Sequence, residues 1–72
     1  MGLPAEIASA LYFISIASAL VHRDTRISKL SDADLQRGLC WTREQAWLDD
    51  ATKELLAQAL EKISGSPKGA KP

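Results

Sequence analysis

The sequence predicts an all-α protein in which two long helices form a hairpin with a short helix between them. The segment 3–21 is one apolar run whose only charged residue is Glu6. Residues 48–63 repeat apolar side chains at spacings of three and four, as in a helix with one buried face. The sequence has no sustained alternation of polar and apolar residues and no Asn-Gly or Asp-Gly turn, so it does not favour strands.

The first long helix is predicted over about 4–22. Pro4 suits the first helical position, because its fixed φ angle is already helical and its missing N–H is not needed there. Glu6 falls in the first turn, where the helix dipole stabilises an anion. Charged residues resume at Arg23, so we expect the helix to end at His22.

The short helix is predicted over about 32–38. Ser31 and Asp34 have the spacing of an N-terminal capping box, in which the serine oxygen accepts a backbone N–H of the first turn. Gly38 suits the left-handed conformation that commonly follows the last residue of a helix. The short helix should therefore stop at this glycine.

The second long helix is predicted over about 43–63, because Thr42 and Gln45 form another capping-box pattern. Residues 1–64 would then make a single small domain. The segment 65–72 is rich in Gly, Pro and Lys and is expected to be a disordered tail.

The composition bounds how such a small fold is stabilised. A chain of 72 residues is marginal alone, and folds below roughly 80 residues usually need disulfides, a metal or oligomerisation. Cys40 is the only cysteine and His22 the only histidine, so neither an intrachain disulfide nor zinc-type spacing is available. We therefore expect no metal or cofactor, and a fold completed by oligomerisation.

The first helix is apolar on all sides and needs more cover than one amphipathic partner gives. One of its faces keeps the three-four rhythm of a helix–helix seam and is mostly small. That face carries Ala5, Ala8, Tyr12, Ser15 and Ala19. The predicted partner interface, with a tryptophan as edge anchor, comprises Ala8, Tyr12, Ser15, Ile16, Ala19, Leu20 and Trp47.

These features favour a non-catalytic, cytoplasmic interaction protein (a regulator, adaptor or inhibitor) that binds itself or another protein through a hydrophobic helical surface. One alternative is a membrane-attached subunit, in which the helix 3–21 spans an inner membrane and Arg23, Arg26 and Lys29 mark the cytoplasmic side. That helix is only weakly hydrophobic for a membrane span, and it lacks the basic start of a signal peptide.

A second alternative is a helix-turn-helix over 32–48 that binds DNA. Arg43 and Gln45 would then contact the groove from the start of the recognition helix. Asp49 and Asp50 follow at once, and basic and acidic residues balance at nine each. Because duplex binding depends on phosphate contacts, this charge argues against nucleic acid as the partner.

Candidate catalytic residues are few. His22 is interpreted as a surface or capping residue at a helix end. Cys40 has no general base near it in sequence and is interpreted as buried packing. Trp41 is expected in the core. The sequence therefore predicts no enzyme activity.

The residues LSDADL at 30–35, followed by Gly38-Leu39 and Thr42-Arg43, resemble a short stretch of a family of small arginine-rich bacterial proteins of largely unknown role. Cys40-Trp41 interrupts that stretch here, and the arginine-rich flank is missing. The resemblance covers under a fifth of the chain and implies no function.

Overall fold

The computed structural model describes residues 4–64 and confirms the all-α class over that range. Three helices follow in order: α1 (Ala5–His22), α2 (Asp32–Arg43) and α3 (Asp50–Ser64). Each helix packs against the other two, as in a small helical bundle. The predicted tail, 65–72, lies outside the described residues.

The predicted bounds of α1 agree with the structure to within one residue. After the helix, Asp24 adopts a left-handed backbone with φ of 51°, which Asp tolerates better than most residues. The backbone N–H groups of Arg23 and Thr25 then both donate to the carbonyl of Ala19, at 3.1 and 3.0 Å. These bonds fold the connecting segment 23–31 back onto α1.

α2 begins where predicted, because the Ser31 Oγ accepts the backbone N–H of Asp34 at 3.2 Å. The predicted stop at Gly38 is wrong, since the helix continues to Arg43. A Cβ at Gly38 would overlap three ring carbons of Phe13. This glycine therefore allows close packing of α1 on α2 and does not cap a helix.

α3 begins at Asp50, so the predicted start near 43 is wrong. Thr42, the expected cap, is buried inside α2, where its Oγ1 donates to the Gly38 carbonyl at 2.7 Å. The actual cap is Asp49, whose Oδ1 accepts the backbone N–H of Thr52 at 3.2 Å. The structure is thus a three-helix bundle, and its middle helix is longer than the short helix predicted.

The core lies between the C-terminal half of α1 and the inner faces of α2 and α3. Its buried members are Ile16, Ala17, Leu20, Leu35, Leu39, Leu48, Leu56 and Ala59. Burying each of the larger side chains stabilises the fold by roughly 1.5–3 kcal/mol. The N-terminal half of α1 supplies none of these eight residues.

Candidate interaction surface

The N-terminal half of α1 presents large apolar side chains to the surface. Leu11 is 44% exposed and Tyr12 is 50% exposed. At about 100° per residue, five uncharged side chains within residues 7–15 fall in an arc of roughly 140° that includes Leu11. We define them as the outer face of α1: Ile7, Ala8, Leu11, Tyr12 and Ser15.

Half of the interface residues predicted on α1 lie on this face. Ala8, Tyr12 and Ser15 are exposed. The other three predicted positions, Ile16, Ala19 and Leu20, are buried by the chain itself.

The burial of these three residues corrects their assignment to an open surface. Ile16 and Leu20 belong to the core between the helices, and the connecting segment hydrogen-bonds to the Ala19 carbonyl. The predicted interface also omits Leu11, which is 44% exposed. All faces of α1 are apolar, so only the positions of α2 and α3 decide which of them is buried.

Tyr12 is held in place although half of it is exposed. Its hydroxyl donates to the Ser28 Oγ at 3.3 Å, and Ser28 itself is buried. Its ring meets the edge of Phe13 with centroids 5.3 Å apart and planes at 65°. A side chain that is already ordered loses less conformational entropy when a partner covers it.

The remaining predicted anchor, Trp47, is 49% exposed and lies in the turn between α2 and α3, not on a helix. Trp41 is 37% exposed and Cys40 is exposed, so both predictions of burial are wrong. Because α2 extends to Arg43, both residues lie within this helix directly after the buried Leu39, and the helical turn places them on the solvent side of α2. They line an open hollow of about 500 Å³.

The structure does not place the predicted DNA-contacting residues at the start of a helix. Arg43 ends α2, and Gln45 lies in the turn that follows. The start of α3 carries Asp49 and Asp50 instead. Acidic residues there repel phosphates, so this geometry does not support recognition of a DNA groove.

The carboxylate of Asp49 is bound to the first turn of α3. Hydrogen bonds from the side chain and backbone of Thr52 lower the pKa of Asp49, which is the effect of capping α3. His22 is exposed and lines an open hollow of about 370 Å³ with Glu54 and Gln58. Within 4–64, no group of three or more His, Cys, Asp or Glu residues is placed to hold a metal ion.

α1 is also long and apolar enough to cross a membrane, judged by length and composition alone. Its 18 residues have a mean hydropathy of 1.5, and 28% of them are buried inside the bundle. Core helices of soluble proteins and signal sequences meet the same criteria.

In comparisons with known proteins, no family model, no curated protein and no solved structure matches this chain.

Proposed function

We propose that this protein is a small, non-catalytic interaction module that acts through the outer face of α1, and that its first partner is a second copy of itself. The observation that carries the proposal is the pair of large side chains, Leu11 and Tyr12, left about half exposed on a helix whose C-terminal half lies in the core. Exposed apolar clusters of this kind mark binding surfaces in small proteins.

The chemistry of the face suits self-association. It carries no charged side chain, so two copies would meet without electrostatic repulsion. Ala8 and Ser15 lie about one turn to either side of Leu11, and small residues at such positions let two helix backbones approach closely. A twofold dimer uses the same patch on both subunits, which doubles each favourable contact.

The expected strength is modest. Covering the exposed parts of Leu11 and Tyr12 on both copies contributes on the order of 5 kcal/mol. Association also loses translational and rotational freedom. We therefore expect a weak dimer that is populated only at high protein concentration.

Light scattering and sedimentation over a wide concentration range test this proposal. We expect the mass to rise from 7.8 kDa towards twice that value as concentration increases. Leu11→Glu should abolish the rise, because it would bury two like charges against each other. Ala46→Glu is the matched control, since it adds the same charge at an exposed site in the turn after α2.

A mass that stays at 7.8 kDa up to millimolar concentration would overturn self-association. Equal masses for Leu11→Glu and the parent chain would show that the outer face of α1 is not the site of self-association. Circular dichroism on each variant distinguishes loss of association from loss of fold.

The hydropathy of α1 favours a second candidate, attachment to a membrane as a subunit of a larger complex. Insertion across a bilayer would remove Ile16 and Leu20 from the core and expose Leu39 and Leu56 to water. That exposure makes full insertion costly. Recovery of a helical chain in the detergent-free supernatant would contradict an inserted α1.

A further inference from the structure

We propose that the connecting segment 23–31, a surface separate from the outer face of α1, binds anionic lipid headgroups. The segment presents one exposed apolar side chain, Ile27, between the basic residues Arg26 and Lys29. Arg23 is also exposed, at the start of the segment. This combination of cations around an aliphatic residue matches the boundary between headgroups and acyl chains.

The first supporting observation is that the segment has an inverted polarity. Ser28 is buried at 8% exposure, whereas its neighbour Ile27 is 51% exposed. Folding of the chain alone favours the opposite arrangement, with the aliphatic side chain inside. The inversion is held in place, because the Ser28 Oγ accepts both the Tyr12 hydroxyl and the Leu30 N–H, at 3.3 and 3.1 Å.

The second observation is the state of the charges. Asp24 is paired with Lys62 at 3.1 Å, and Asp32 with Arg26 at 2.6 Å. These pairs occupy the two carboxylates, and the second also neutralises Arg26, which leaves Arg23 and Lys29 as the uncompensated cations of the segment. The side chains of Arg23 and Lys29 form no ion pair with any described residue.

The neutral chain is therefore locally basic at this segment. Five of its nine acidic residues lie instead within 44–64, in the turn and α3. The local charge is complementary to an anionic surface and not to a zwitterionic one.

The shape of the surface favours a membrane over a peptide. Three hollows of 340–500 Å³ formed by the described residues are lined by other side chains, chiefly from α2 and α3. Arg23, Ile27 and Lys29 line none of those three hollows. Ile27 is about half exposed, and an exposed aliphatic side chain in a basic segment suits insertion at the boundary between headgroups and acyl chains.

Co-sedimentation of the full chain with vesicles tests this inference. We expect binding to phosphatidylcholine vesicles that contain phosphatidylglycerol, weakening as salt is added, and none to phosphatidylcholine alone. The double variant Arg23→Gln/Lys29→Gln should bind about 25-fold more weakly, since each cation near an anionic surface contributes about fivefold. Ile27→Ser should weaken binding by about fivefold.

The matched control is Arg43→Gln/Lys53→Gln, which removes the same charge from α2 and α3. An equal loss of binding in this control would overturn the assignment to 23–31, as would equal binding to both kinds of vesicle. Binding to soluble polyglutamate without binding to vesicles would overturn the lipid assignment and indicate an acidic protein partner. Light scattering without vesicles reports self-association independently, so failure of either proposal is recognised separately.

Discussion

The two halves of α1 have similar apolar character but opposite surroundings. The C-terminal half buries Ile16 and Ala17 completely, whereas the N-terminal half leaves Leu11 and Tyr12 about half exposed. The three residues that α1 contributes to the eight-residue core, Ile16, Ala17 and Leu20, all lie in its later part. In this protein, hydrophobicity identifies a helix that needs cover, and tertiary packing decides which half receives it.

The largest expected effect is a stability difference between the two halves. Ile16→Ala should lower the free energy of unfolding by roughly 2–5 kcal/mol, because it leaves a cavity at a fully buried site. Leu11→Ala should cost under about 1 kcal/mol in the monomer, since much of that side chain is already in water. Urea unfolding at low protein concentration measures both values. Similar losses at the two sites would contradict the contrast between the halves.

The next effect tests the boundary between the halves, where Phe13 lies over Gly38. Glycine to alanine inside a helix normally stabilises by up to about 1 kcal/mol. Gly38→Ala should instead destabilise by roughly 1–3 kcal/mol, because the added methyl would overlap the Phe13 ring. Thermal and urea unfolding give the sign directly.

The double variant Phe13→Leu/Gly38→Ala is the control for this steric cause. A smaller side chain at Phe13 relieves the overlap, so the double variant should lose less than the two single losses combined. Strict additivity of the two losses would show that Gly38 acts in some other way.

The sequence predicted the helix class, α1 and the Ser31 cap, because these depend on local signals. It misplaced the end of α2 and the start of α3, because Gly38 and Thr42 carry cap signals that other contacts in the folded chain override. The glycine fits a C-cap, yet the Phe13 ring requires it inside the helix. Thr42 fits an N-cap, yet it bonds the carbonyl four residues earlier.

The candidate surface was predicted only in part for a related reason. Periodicity divides an apolar helix into faces but does not say which face its neighbours cover. The exposure of Leu11 and Ile27 depends on where the bundle and the connecting segment pack. No local pattern in the sequence marks either residue.

A smaller effect concerns how the exposed half of α1 is held. Tyr12→Phe keeps the ring and removes the hydroxyl that donates to Ser28. Since Ser28 still accepts the N–H of Leu30, we expect a loss of about 0.5–1.5 kcal/mol in unfolding free energy. Amide hydrogen exchange in 23–31 should also become faster in Tyr12→Phe than in the parent chain, and the increase should be larger there than in α3. Unchanged exchange in 23–31 would indicate that this bond does not order the segment.

The smallest effect concerns the cap of α3, whose first turns approach the end of the buried half of α1 at His22. Asp49 has a lowered pKa in the folded chain, because Thr52 donates hydrogen bonds to its carboxylate. A lowered folded pKa means that the stabilisation is complete above the unfolded pKa and is lost as pH falls through the folded value.

Asp49→Asn keeps an acceptor oxygen but removes the charge that the helix N-terminus favours. The parent chain should therefore be slightly more stable than Asp49→Asn at neutral pH, and the difference should vanish in acid. Urea unfolding of both chains across this pH range measures the difference, and a difference that stays constant with pH would show that the Asp49 charge does not contribute to stability.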